Sequence, residues 1–255
     1  GQKPFKFPPP EGFQPISGST IRPDTVVARP DKLVKTVLYT GTGAEKTLDV
    51  GFQPDFSYFS RRNATGYIKY WFDSVRGTTK YLATSGTQSS NAEGTDAQTL
   101  KSFNSNGVTI GTNGQMNENN GTHVSWHWKA GGNAGVFNKD DVGYASAAAA
   151  GLTAGDTAAT GSSVGTKQGF SIVSYTGPGG TSTSIPHGLE QSPNFVIIKN
   201  RDGGSSGSAG GWYSVYHDNF PNKSSIAFLT TAPNDVSWDN HGKITSTTSS
   251  VVNVA

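Results

Sequence analysis

Apolar residues in this chain come in short runs of four to eight, each bounded by Gly, Asn, Pro or Ser. From Leu33 onward they read LVKTVLYT, FSYFS, YIKYWFD, KYLAT, VTIG and HVSWHWK, then FSIVSYT, NFVIIKN, WYSVYHD and IAFLTT. Short apolar runs punctuated by turn residues predict strands. No segment holds a helical period long enough to predict an amphipathic helix. The fold class expected is all-β, with a two-sheet antiparallel sandwich of jelly-roll type as the architecture. The run HVSWHW alternates strictly, placing Val124, Trp126 and Trp128 on one face and His123, Ser125 and His127 on the other. One face is expected in a core and the other toward solvent or a partner, with the two histidines on the wet face.

The same order of segments occurs twice. From Val37 the chain reads VLYTGTGAEKTLDVGFQPDFSYFSRR, and from Val173 it reads VSYTGPGGTSTSIPHGLEQSPNFVIIKNR. Each copy passes through an apolar strand, a Tyr-Thr-Gly-x-Gly turn, a polar strand, a Gly-containing corner and a strand that ends in Arg. Beyond it, Trp71 and Trp212 open one pair of matching strands, and Leu82 and Leu229 mark another. The copies stand about 140 residues apart, a domain length rather than a solenoid unit.

That spacing predicts a Pro-rich extended lead-in over 1–32, a first β-sandwich module over 33–132, and a second over 169–255. Between the modules, 133–168 is rich in Gly, Ala and Ser and is expected as a linker or a protruding arm. The second module reads as incomplete at its C-terminal end, because no later segment matches the NGTHVSWHWKAGG that closes the first. Either the chain is cut short there, or a neighbouring segment supplies the missing strand, since an unclosed sheet edge invites uncontrolled pairing.

Composition narrows the function. Only 15% of residues are charged, the formal net charge is +2, and no cluster of Lys and Arg is interleaved with aromatics, so nucleic acid is an unexpected partner. No apolar run approaches the ~20 residues of a membrane-spanning helix. The chain has no cysteine, which rules out disulfides, thiolate metal sites and a cysteine nucleophile together.

The set YTGTG, VGFQPD, WFDSVRG, LKSFNSNGVTIG, VSWHWKAGG and GFSIVSYTGPG, with the lead-in GQKPFKFPPPEGF, resembles a domain of unknown function found in structural proteins of tailed bacteriophages. It is common in phages of marine bacteria and cyanobacteria. In those proteins the lead-in looks like the end of a SPRY-type sandwich, and the module is similar to concanavalin-A-like lectin domains. The resemblance implies a virion protein on the tail or capsid surface: a tail fibre, an adhesin or a capsid appendage. Its implied partners are other virion subunits, in a homo-oligomer, and a bacterial surface glycan. It carries no catalytic motif and no cofactor.

Sugar binding by ring stacking turns attention to the aromatics. Tyr67, Tyr70, Tyr213, Tyr216 and His217 flank Trp71 and Trp212, which are themselves expected in the cores, and are the candidate glycan contacts. Other signals are weaker. On a strand, His123 and His127 lie about 13 Å apart, too far to share a metal ion. The G-x-S-x-G patterns at 161–165 and 203–207 lack the strand and helix that a hydrolase elbow requires. The carboxylate pairs Glu93 with Asp96 and Asp140 with Asp141 read as solvated turns, so a polysaccharide depolymerase finds no acid–base pair. Asn138, Asp140 and Asp141 are oxygen-rich, but their spacing fits no defined calcium loop.

Overall fold

The computed structural model describes residues 29–83, 93–179, 181–202, 213–219, 226–228 and 244–255, with backbone only at Tyr213 and 226–228. Trp212, Leu229, the 203–207 pattern and the lead-in before Arg29 lie outside these residues. Among the described residues the chain is all-β, as its apolar pattern predicts, built from five mostly antiparallel sheets.

The first half contains β1 (Val34–Thr40), β2 (Lys46–Asp49), β3 (Phe56–Arg61), β4 (Tyr70–Asp73), β5 (Lys80–Ala83), β6 (Gly94–Thr95), β7 (Leu100–Asn104), β8 (Gly107–Ile110) and β9 (Thr122–Trp128). A single helical turn, α1 (Gly114–Asn117), sits between β8 and β9, with the Asn113 side chain accepting from the Gln115 N–H at its start. The strands form a six-stranded sheet in the order β1-β9-β3-β4-β5-β6 and a three-stranded sheet in the order β2-β8-β7. Leu48, Phe59, Tyr70, Phe72, Leu100, Val108, Ile110 and Met116 fill the core between them. The β7–β8 hairpin closes against β2 so tightly that a Cβ on Gly107 would fall 2.0 Å from the Leu48 carbonyl oxygen, which restricts this position to glycine.

The 133–168 stretch, expected as a linker or arm, carries three strands: β10 (Phe137–Lys139), β11 (Val142–Tyr144) and β12 (Ala159–Gly165). With β13 (Phe170–Tyr175) they form a sheet in the order β11-β10-β12-β13, in which β10 and β12 run parallel. Asp140 and Asp141 make the β10–β11 turn, both at positive φ (50° and 67°), the backbone a tight two-residue hairpin loop needs. Small residues here permit close approach. A Cβ on Gly131 would lie 2.3 Å from the Val164 carbonyl oxygen, and the buried Ser163 hydroxyl accepts from the Gly131 N–H and donates to the Gly132 carbonyl.

The remaining strands are β14 (Thr183–Pro186), β15 (Phe195–Lys199), β16 (Tyr213–His217), β17 (Ile226–Phe228), β18 (Ile244–Thr247) and β19 (Val251–Val254). They form two sheets, β14-β19-β18 and β15-β16-β17. Ile185, Tyr216, Ile244, Val252 and Val254 make their core, with Val173, Tyr175, Val196 and Ile198 packed against it.

The HVSWHW strand is oriented opposite to expectation. His123, Ser125 and His127 are fully buried in the first core, and the tryptophan face points away from it. His127 is accommodated because Nδ1 and Nε2 each lie 2.8 Å from a serine hydroxyl, Ser57 and Ser125, so a neutral imidazole both donates and accepts. His123 stacks on Tyr39 at 5.2 Å instead.

Burial lowers the His127 pKa from 6.5 to about 4. Its protonation therefore favours the unfolded chain: stability is full above pH 6.5 and falls as pH drops toward 4, by at most about 3 kcal/mol from this group. Urea denaturation at pH 7 and pH 4.5 should show that loss, and His127→Gln should reduce it while lowering stability at pH 7, the remainder coming from His123, whose pKa burial also lowers to about 4.

Candidate binding groove

The outward face of the six-stranded sheet is aromatic because alternation sends Phe56, Tyr58, Trp71, Trp126 and Trp128 to the same side. Phe56 meets Trp71 edge-on at 5.3 Å and Trp128 at 5.4 Å, and Tyr58 stacks on Trp126 at 5.3 Å. The second half packs onto this wall. Leu82 and Val215 form a small buried cluster flanked by Trp71 and Ile197, and Phe56 touches Phe170 at 6.1 Å.

Beside that contact lies a cavity of about 2260 Å³. The full length of β13 and of β15 lines it, with Phe56, Tyr58, Trp71 and Trp128 on the first-half side and Thr183, Val252 and Val254 from the second half. Lys199, also on its wall, has its pKa lowered by burial from 10.5 to about 8.

A buried ion cluster fixes the two halves at the rim. Arg76 donates to Asp73 at 2.5 Å and to Glu93 at 3.2 Å, with further bonds to the Trp71 and Lys80 carbonyls. From the second half, Arg201 grips Glu93 through two bonds of 2.9 Å, and the Glu93 N–H donates to the Arg201 carbonyl. Burial raises the Glu93 pKa, but the hydrogen bonds from Arg201 and Arg76 more than offset it, leaving it below the usual carboxylate value. Read from sequence as part of a solvated turn, Glu93 is instead the ionic link between the halves.

The predicted glycan contacts do not converge. Tyr70 is 4% exposed and Tyr216 3% exposed, each in the core of its own half, so neither presents a stacking face. Tyr67 lies half-buried elsewhere, donating to Glu118 at 2.6 Å beneath the Arg61 guanidinium, which sits 4.0 Å over its ring. His217 is half-buried at the end of β16, accepting from the Asn219 N–H, and the Tyr213 side chain lies outside the described residues. In strand register Trp71 pairs with Tyr58 and Val215 with Ile197, so among the described residues Val215 is the β16 residue set opposite β15 as Trp71 is set opposite β3.

The remaining polar candidates are held by the protein itself. Asp140 accepts from the Thr166 N–H and hydroxyl, Asp141 from Lys129, and Asn138 bonds the backbone of Gly135. Ser163 of the first G-x-S-x-G pattern is locked in β12 with no helix after it. No group of three His, Cys, Asp or Glu among the described residues is arranged to hold a metal ion.

Fold and site thus define an all-β protein of packed antiparallel sheets with an aromatic-walled groove between its halves. A family model, described as a domain of unknown function (DUF7483), matches residues 29–255, and the chain belongs to that family. No curated protein and no solved structure matches it.

Arg76 is the centre of the ion cluster, with its side chain 5% exposed beside Asp73 at 9%. Arg76→Ala leaves the buried Asp73 carboxylate without its guanidinium, while Glu93 keeps Arg201, and should cost about 3 kcal/mol in urea denaturation. Arg201→Ala, at the wetter end, should cost about 1 kcal/mol or less.

Proposed function

We propose that this chain is a non-enzymatic structural protein of a phage particle, a subunit of a tail fibre or other appendage that acts by contact between β-sandwiches. The resemblance to tailed-phage structural proteins supplies the particle. The observation that carries the contact role is the edge of β1. This seven-residue strand ends its sheet, and among the described residues its outer edge pairs with no other strand. Its outward face shows Val34 at 47% and Leu38 at 62% exposure. A long, exposed apolar edge is what a protein that pairs with neighbouring subunits presents, and what a free monomer ordinarily blunts.

The chemistry of the carboxylates supports the non-enzymatic reading. A glycosidase acid needs a raised pKa in an open cleft, whereas Glu93 is lowered, Asp73 is held by Arg76, and Asp55, which burial raises, is enclosed away from the groove, accepting from the Ala130 and Gly132 N–H groups and the Ser74 hydroxyl. Host glycan binding loses the paired aromatic platforms on which it rested, because Tyr70 and Tyr216 are core residues.

Mass spectrometry of purified particles, with antibody labelling in electron micrographs, tests the location: the chain should be a stoichiometric particle component, and its absence would sink the reading. Replacing Val34 and Leu38 together by Glu should dissociate the assembly in sedimentation while changing monomer stability by no more than about 0.5 kcal/mol for each substitution, since both side chains are exposed.

A further inference from the structure

The strand orders of the two halves correspond, with one strand left over. The order β14-β19-β18 repeats β2-β8-β7, and β15-β16-β17 repeats β3-β4-β5. The VSYTGPG of β13 and its following turn stands for the VLYTGTG of β1. In the first half β9 lies between β1 and β3, antiparallel to both. No described strand takes that place in the second half. There β13 has β12 as its sheet partner and β15 has β16, so each has one edge with no strand beside it among the described residues. Both strands send alternate side chains, Val173 and Tyr175, Val196 and Ile198, onto the same core, so they lie in one layer. The cavity of about 2260 Å³ runs along the whole of each.

A seven-residue strand advancing ~3.3 Å per residue, ~4.8 Å wide in a layer ~10 Å deep, needs about 1100 Å³. The cavity is large enough for one such strand with its side chains.

We propose that the groove between β13 and β15 is the acceptor site for an extended strand donated by a neighbouring polypeptide chain, running antiparallel to both. The chemistry of that strand follows from β9 and from one difference. Outward positions face Phe56, Tyr58 and Trp128 and call for apolar or aromatic side chains, as Val124, Trp126 and Trp128 are in β9. Inward, the position matching His127 meets Val196 where His127 meets Ser57, because Val196 pairs with Tyr216 as Ser57 pairs with Phe72. Of the two hydroxyls that satisfy His127, the one Ser57 supplies from the neighbouring strand is therefore missing, and the donated strand carries an apolar residue there. The next inward position, matching Ser125, falls between Val173 and Ile198 and suits a small residue. The mode is β-augmentation, with main-chain bonds on both edges supplying affinity and alternate pockets supplying selectivity.

This deepens the assembly reading and rests on it, but concerns a different surface from the β1 edge, so the two fail separately. The test uses the full chain at a concentration where sedimentation shows a monomer, probed with a synthetic peptide of residues 121–130, GTHVSWHWKA, and the same peptide carrying His127→Val. Hydrogen exchange at 170–175 and 195–198 is the readout. Amides on the groove edges of both strands should exchange fast without peptide and become protected together on saturable one-to-one binding. The His127→Val peptide should bind about tenfold tighter, since it buries no unsatisfied imidazole, and a peptide with Ser125→Pro should not bind. Fast exchange that neither of the first two peptides changes would overturn the proposal. So would protection already present in the monomer, which would mean that a segment of the same chain fills the groove. Loss of assembly on the Val34 and Leu38 substitutions with peptide binding intact would separate the β1 edge from the groove.

Discussion

A strand stays in a sheet only when its polar backbone has partners, and β9 meets that demand for two strands at once. It pairs with β1 over seven residues and with β3 over six, holding in one layer two strands that are not neighbours in sequence. Its alternation then decides what lies on either side. The inward positions, His123, Ser125 and His127, sit over the β2-β8-β7 sheet, and the outward positions, Val124, Trp126 and Trp128, build the wall against which the second half packs. The buried histidine is tolerable because it is neutral and bonded at both nitrogens; a charged imidazole in that place would carry an uncompensated desolvation cost.

The wall and the ion cluster divide the work of joining the halves. Apolar contacts among Leu82, Val215, Trp71 and Ile197 remove area from water without fixing direction. The Arg76, Asp73, Glu93 and Arg201 cluster adds direction, because guanidinium and carboxylate bond only in a narrow range of geometry and each buried group depends on the others. The segment after β9 adds a third tie: Asp55 accepts from the Ala130 and Gly132 N–H groups, and Gly131 reaches Ser163 of β12. The groove is therefore framed by packed strands on both sides.

Much of the fold was legible in the sequence, and what was not has physical causes. Short apolar runs bounded by turn residues located β1, β3, β4, β9, β13, β15 and β16 closely. The period of HVSWHW gave two faces but not their assignment, because tryptophans that meet a second layer are as apolar as tryptophans in a core. The strand β12 was missed because Gly, Ala and Ser replace large apolar residues where backbones approach to within the reach of one Cβ, and periodicity counts only the large ones; β10 and β11, three residues each, are too short to show a period. The two aromatic clusters matched by composition yet not by register: among the described residues Val215 is set opposite β15 as Trp71 is set opposite β3, and Ser214 lies opposite Ile198 as Tyr70 lies opposite Phe59. Glu93 and Arg201 are 108 positions apart, and a pairing that distant leaves no local pattern.

The edges with no strand beside them among the described residues differ in what they can accept. The edge of β1 ends its sheet among the described residues and carries the exposed Val34 and Leu38, so register with a strand added there would be set mainly by Lys35 and that apolar pattern. The edges of β13 and β15 line a groove whose other wall is aromatic, a shape that suits a single extended segment better than a whole sandwich. In the acceptor reading that shape works against edge-to-edge aggregation. A chain with only 15% charged residues has little repulsion with which to refuse wrong partners. Selectivity in such a protein has to come from shape and from the unsatisfied cost of a misplaced polar group, and the replacement of the serine partner of His127 by Val196 in the second half supplies a discriminating position of that kind.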